Sequence, residues 1–135
     1  MTIARPQPRI DRLNAPFWET AKAGKLSVQA CTGCGDLHFP PSPVCPACLS
    51  DAQEWRVVSG AATLESWVDF HRAYWDGFRD ALPYRVCLVR LAEGPLLVSN
   101  LVGPSADARL GAALQARFED LADGLRLPVF ALAGA

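Results

Sequence analysis

The sequence predicts a mainly β chain in which a short N-terminal helix and a small metal-stapled ribbon precede a five-stranded barrel. Three observations carry this. Four of the five cysteines stand in two tight pairs, Cys31-Thr32-Gly33-Cys34 and Cys45-Pro46-Ala47-Cys48. After Trp55 the chain changes to longer runs of β-type residues. Turn signals, Glu93-Gly94-Pro95 and Asp123-Gly124, separate those runs. With 135 residues the chain has room for one domain of ordinary size, or for a stapled unit attached to a compact core.

Residues 1–13 hold two prolines, three arginines and little periodicity, and are read as a flexible arm. Asn14 offers a helix N-cap, Pro16 fits a first turn and Gly24 ends the run, which predicts a helix over 15–23. So short a helix must pack Phe17 and Trp18 against this chain or against another subunit.

Residues 25–30 and 36–39 alternate as short strands, each beside a cysteine pair. One Cys-x-x-Cys brings two sulfurs to one ion, and the second pair completes a tetrahedron. Cys31, Cys34, Cys45 and Cys48 are therefore the expected metal ligands, and the site is closed. With no open position for water or substrate, a structural metal is expected rather than Lewis-acid catalysis. Zinc suits four thiolates, although iron uses the same set in rubredoxin-like centres. Disulfides are disfavoured because Met1 to Arg12 has no apolar secretory stretch, and a redox Cys-x-x-Cys lacks its βαβ setting. Gly35 follows the first pair and can take a left-handed turn. Leu49 follows the second, which predicts a less regular second knuckle. Pro40, Pro41 and Pro43 stiffen the link between the pairs. Residues 14–56 are thus read as helix plus ribbon, and 57–135 as the barrel.

In the barrel, strands are expected over 55–58, 62–70, 84–91, 96–102, 113–121 and 125–131. Across 62–70, Ala62, Leu64, Ser66, Val68 and Phe70 are expected on one face, with Thr63, Glu65, Trp67 and Asp69 on the other. A helical turn is expected at 106–110, Asp123-Gly124 joins a hairpin, and Pro128 places the last strand at an edge or seam. Five main strands with a connector between the third and fourth fit an OB-like Greek-key barrel. The connection 71–83 stands out, with His71, Arg72, Tyr74, Trp75, Phe78 and Arg79 in thirteen residues. In OB barrels this loop borders the binding face, so it is read either as a partner or ligand surface or as a small helix covering the barrel's own mouth.

Thirteen basic and fourteen acidic residues give a net charge of −1, which disfavours nucleic acid as a partner. No run reaches the roughly 18 apolar residues of a membrane span, so a cytoplasmic protein is expected. No catalytic residue stands out. Cys87 lies in a strand without a basic cluster, and His38 and His71 are isolated from it in sequence. Glu119 and Asp120 are adjacent on a strand and point to opposite faces.

Phe17-Trp18-Glu19, Cys31-Thr32-Gly33-Cys34-Gly35, His38-Phe39-Pro40-Pro41, Val44-Cys45-Pro46-Ala47-Cys48, Glu54-Trp55, Pro83-Tyr84, Asn100-Leu101-Val102-Gly103 and Phe118-Glu119-Asp120 resemble the acyl-CoA-associated proteins that join a rubredoxin-like zinc ribbon to an OB-fold. The resemblance covers about residues 14–131. It implies a non-catalytic accessory subunit with structural zinc. The implied partner is a thiolase-fold enzyme engaged in acyl transfer, condensation or CoA-dependent aldol cleavage, or alternatively an enoyl-CoA hydratase. Phe17, Trp18, His71, Arg72, Tyr74, Trp75, Phe78 and Arg79 would then face the partner or border its acyl-CoA channel. An OB-fold nucleic-acid module is the alternative outside that class. Leu49 and Ala62 depart from the family pattern, where glycine is usual, and unsettle the local turns.

Overall fold

The computed structural model describes residues 5–134. The chain is mainly β, and its elements run α1 (Ala15–Lys22), β1 (Leu26–Cys31), β2 (Leu37–His38), β3 (Gln53–Val58), β4 (Ala61–Phe70), β5 (Tyr84–Leu91), β6 (Leu96–Leu101), β7 (Ala113–Asp120) and β8 (Arg126–Leu132). Single 3-10 turns occupy Asp76–Ala81 and Ala122–Gly124.

Helix α1 starts where its sequence places it, but Asn14 does not cap it with its side chain. Its Oδ1 instead accepts the Asp11 N–H at 2.9 Å, and its Nδ2 donates to the Arg9 carbonyl, so the amide ties down the preceding segment. The far end closes by Gly24 N–H to Ala21 O and Lys25 N–H to Thr20 O, a paired C-terminal cap.

Strands β2-β1-β3 form an antiparallel sheet with β1 at its centre. β1 is buried along its whole length because both faces are covered. Leu26 and Val28 join the main core, while Ser27 on the other face hydrogen-bonds Thr20 of α1 at 2.7 Å. Strands β4-β5-β6-β8-β7 close a barrel in the strand order of an OB-fold. Pro128 lies in β8, which meets β6 in parallel at Leu101 and Phe130, the seam that closes the barrel.

One core serves both parts. Phe17, Leu26, Val28 and Val58 pack in the same cluster as Leu64, Val89, Leu91, Leu114 and Phe130, and α1 lies against both β1 and β8. Burying side chains of this size at about 1.5–3 kcal/mol each makes the cluster the main source of cohesion between ribbon and barrel.

Three local expectations are corrected. Between Leu64 and Ser66 a bulge shifts the register of β4 against β5. One extra residue exchanges the faces, so beyond it Trp67 packs on the core while Val68 points to solvent, the reverse of simple alternation. Residues 106–110 form turns rather than a helix. Five residues between glycine and proline cannot offset the cost of helix nucleation unless tertiary packing supplies it. The Ala62 departure leaves its turn intact. Gly60 at φ +81° makes the bend alone, with no room for a Cβ 3.0 Å from Ala116, while Ala62 is an ordinary buried strand residue.

Candidate functional site

The four paired cysteines converge. Their sulfurs all lie within 4.8 Å of one another, with Cys31 Sγ 3.6 Å from Cys48 Sγ and Cys34 Sγ 3.7 Å from Cys45 Sγ. Sulfurs on a tetrahedral ion with bonds of about 2.3 Å stand about 3.8 Å apart, so the arrangement fits a four-thiolate metal centre. Cys31 and Cys45 are buried and Cys34 and Cys48 exposed, which puts the site at the tip of the ribbon.

The two knuckles repeat the same backbone. Gly35 N–H bonds Cys31 O and Cys31 N–H bonds Asp36 O; Leu49 N–H bonds Cys45 O and Cys45 N–H bonds Ser50 O. Leu49 takes φ +66° where Gly35 takes φ +81°. The expected irregularity of the second knuckle is therefore absent: leucine is held in the left-handed region at a cost of about 1 kcal/mol. Among the donors aimed at sulfur, Cys34 N–H lies 3.4 Å from Cys31 Sγ and Ala47 N–H 3.4 Å from Cys45 Sγ.

Electrostatics within the cluster call for a cation. The Cys34 N–H pulls the Cys31 thiol down to about 7. At Cys34 the Asp36 N–H acts the same way, but crowding by the Cys48 sulfur, burial and Cys45 outweigh it and push the thiol up to about 12. At Cys48 the Ser50 N–H is likewise outweighed by the Cys31 sulfur, and the thiol is raised. Four sulfurs this close do not ionise together without a positive ion between them.

Beside the cluster, His38 is buried, with Nδ1 3.2 Å from Asp36 Oδ2 and Nε2 3.0 Å from Gln29 Oε1. Gln29 Oε1 also accepts the Ser42 N–H at 2.7 Å, which pins the proline link across the ribbon. His38 is thus a structural tie. Periodicity alone placed it in a strand and gave no sign of the amide that holds it.

The expected partner residues divide. Phe17 is buried in the chain's own core against Trp18, Phe39 and Trp55, at ring centroid distances of 5.1, 5.2 and 6.5 Å, and lines a surface groove with Trp18, Phe39 and Pro40. Trp18 is half-buried. In the 71–83 loop, Phe78 packs on Tyr84 at 5.4 Å, and Tyr84 on Phe70 at 5.1 Å, so part of the loop covers its own barrel. His71, Arg72, Tyr74, Trp75 and Arg79 remain exposed, with Arg72 over the Tyr74 ring. The loop thus covers its own barrel through Phe78 and leaves the other five side chains in solvent.

A cleft of about 420 Å³ opens at the barrel mouth, lined by Arg5, Phe78, Tyr84, Arg85, Asn100 and Glu119 among others. Arg5 lies over Phe78, so the N-terminal arm reaches the cleft rather than hanging free at that point; residues 1–4 of the arm lie outside the described residues. Arg85 grips both oxygens of Asp69 at 2.7 and 3.1 Å and donates to the Ser105 carbonyl. The arginine's hydrogen bond holds the Asp69 carboxyl below its usual range. Glu119 faces the cleft while Asp120 pairs with Arg126 elsewhere, so these carboxylates do not act as a pair. Cys87 is buried in the barrel, and burial pushes its thiol up to about 11, which leaves it unreactive. Among the described residues no helix is long and apolar enough to cross a membrane.

Comparison with known proteins gives concordant matches. Residues 18–54 match the rubredoxin-like zinc ribbon domain of ChsH2, and residues 55–119 its C-terminal OB-fold domain. A probable enoyl-CoA hydratase alpha subunit of Thermomonospora curvata is 39% identical over 129 residues, which is 93% of this chain and 39% of that protein. A DUF35 domain-containing scaffold protein of Methanothermobacter thermautotrophicus is 31% identical over 84 residues, 62% of each chain. The chain therefore spans 39% and 62% of these two relatives, less than two thirds of either. Among solved structures, a chain of an Ltp2-ChsH2(DUF35) aldolase superposes with a TM-score of 0.84 at 36% identity, covering 94% of this chain and 99% of that one. A DUF35-family protein of Sulfolobus solfataricus shares the fold, with a TM-score of 0.62 at 18% identity over 90% of this chain and 85% of that one.

Proposed function

The chain belongs to the ChsH2 family, whose members join a rubredoxin-like zinc ribbon to an OB-fold, and from that premise we propose that it is a non-catalytic scaffold subunit of a thiolase-fold enzyme acting on acyl-CoA. The single observation that carries this is the likeness, over nearly the whole chain, to a chain of the Ltp2-ChsH2(DUF35) aldolase. The site geometry supports it from the other side. The metal centre is closed, Cys87 is masked, and the carboxylates at 119 and 120 diverge, so the reacting groups belong to the partner. The scaffold name of the Methanothermobacter thermautotrophicus relative agrees.

In this reading the metal at Cys31, Cys34, Cys45 and Cys48 is zinc, and it fixes the ribbon without touching substrate. Residues 14–56 and 57–135 act as ribbon and barrel modules sharing one core. Phe17, Trp18, His71, Arg72, Tyr74, Trp75, Phe78 and Arg79 border the partner or its acyl-CoA channel, and a reducing cytoplasm is the setting that suits four free thiolates. An enoyl-CoA hydratase partner is the second reading, favoured by the hydratase alpha subunit that matches 93% of this chain.

The test is to purify the tagged chain from its native extract, identify what comes with it and measure its metal. A thiolase-fold or hydratase enzyme at fixed stoichiometry, with one zinc per chain, is the expected result. A chain recovered alone, folded and metal-loaded, would remove the scaffold assignment, and a red iron-loaded preparation would correct the metal.

A further inference from the structure

The bulge in β4 has turned an aliphatic row outward. Beyond it, Val68 is 55% exposed, and on β6 Val98 is 68% exposed. The register sets Val68 opposite Val86 and Leu88 opposite Val98, so four aliphatic side chains occupy adjacent positions on the outer face of β4, β5 and β6. A solvated sheet face ordinarily carries polar residues at such positions. The band does not stop at the strand ends. Val68 shares a surface depression with Tyr74, which is 62% exposed, and Trp75 beside it is 60% exposed. A run of neighbouring exposed aliphatic and aromatic side chains of this kind is what marks an interaction surface on a soluble chain.

The charges around the band narrow its occupant. Arg72 stacks on Tyr74 and, among the described residues, makes no ion pair. Glu65 and Asp69, the acids on the band's own strands, are each held by an arginine of the same chain, Arg90 and Arg85. The strands of a second copy therefore offer Arg72 no free carboxylate, and in the loop Asp76 is held by Arg79, which leaves Asp80 as the one loop acid without an ion pair among the described residues. The near-neutral chain also lacks the cationic cluster that draws a protein to an anionic lipid surface.

We propose that the outer face of β4, β5 and β6, continued by Tyr74 and Trp75, is where the partner enzyme subunit seats, covering the band with an apolar surface and setting a carboxylate against Arg72. This rests on the scaffold reading and goes beyond it by naming a sheet face, outside the 71–83 loop, as the centre of the interface. Glutamate at Val68 and Val98 is tolerated by the isolated chain, since both side chains are already in solvent, but is buried unpaired in the complex.

The experiment co-expresses the enzyme subunit identified by co-purification with three forms of this chain: unaltered, Val68→Glu/Val98→Glu, and Leu110→Glu as a control at an exposed leucine outside the band. Binding is measured by titration and mass by light scattering. The double variant is expected to melt like the unaltered chain and to bind at least roughly a hundredfold more weakly, with Leu110→Glu unchanged. If the unaltered chain binds its enzyme and the double variant binds within roughly threefold of it, the sheet face is not the interface and the scaffold reading stands. Equal weakening by Leu110→Glu would overturn the assignment of this face as well. If the unaltered chain is itself a dimer that the double variant dissolves, the occupant is a second copy. If it binds no enzyme subunit, the scaffold reading fails and takes this inference with it.

Discussion

Residues 26–58 and residues 61–132 are both largely antiparallel β, yet they are kept in place by different means. The barrel closes on itself: five strands satisfy one another's backbone groups, and a dense cluster around Leu64, Val89 and Phe130 fills the centre. The ribbon has a two-residue strand at one edge, and its tip from Cys31 to Ser50 is turns, prolines and knuckles, with no apolar cluster of its own. Where side chains cannot supply a core, a metal ion can, and the four converging sulfurs stand at that tip. The lesson is that the same chain divides its stability between burial at one end and ligation at the other, with α1 and β1 as the joint.

The sharpest way to break that contrast is to remove one ligand. Cys45→Ser, or a strong chelator, is expected to unfold the ribbon tip, because zinc binding in small ribbons is worth about 10–16 kcal/mol and is inseparable from folding. Amide exchange should rise over residues 31–53 while β5 and β6 stay protected; an unchanged ribbon after complete metal removal contradicts the account. The reciprocal change is Phe130→Ala, which opens a cavity at the barrel centre at a cost of about 3–5 kcal/mol. Its denaturant midpoint should fall sharply with the metal still bound, and a midpoint within error of the unaltered chain would mean that the shared core matters less than drawn here.

Smaller changes sharpen the comparison. Leu49→Gly removes a left-handed leucine whose side chain is 73% exposed and packs on little, so the ribbon should gain up to about 1 kcal/mol, less whatever glycine's freedom in the unfolded chain returns. Competition with a chelator reads this as tighter metal retention; looser retention would show that Leu49 makes contacts of its own. The smallest effect belongs to Asp69. Its folded carboxyl lies below the unfolded value of about 3.9, so the Arg85 pair contributes above that pH and is lost as pH falls through the lowered folded value. Asp69→Asn should lower the barrel's stability slightly and by a constant amount above about pH 5, and the deficit should vanish as pH falls through the lowered folded value. A variant that destabilises the barrel equally at every pH would point to packing instead of charge.

Much of this was legible in the sequence, and what was not has physical causes. Cysteine spacing gave the metal cluster because four thiolates have few other uses, and period-two alternation located all eight strands to within a few residues. Alternation could not reveal the β4 bulge. A single inserted residue is invisible to a period count, yet it decides that Trp67 packs inward and Val68 faces out. The helix at 106–110 failed because propensity in five residues is weak beside the demands of a tight barrel connection. Leu49 was misjudged for a related reason: a residue's own preference says little where two backbone hydrogen bonds overdetermine the turn. That Phe17 had to be packed was legible, but not against what, because its neighbours Phe39 and Trp55 lie far along the chain. The apolar band on the outer barrel face was hidden behind the same bulge.

The most direct test of the scaffold account is a reconstitution with the enzyme recovered alongside the chain. Acyl-CoA turnover is followed for the chain alone, the enzyme alone and the two together. The account predicts no turnover by the chain alone and a more stable, more active enzyme once it is added, with the effect surviving Cys87→Ala. Turnover by the chain alone, or an enzyme indifferent to its presence, would contradict it.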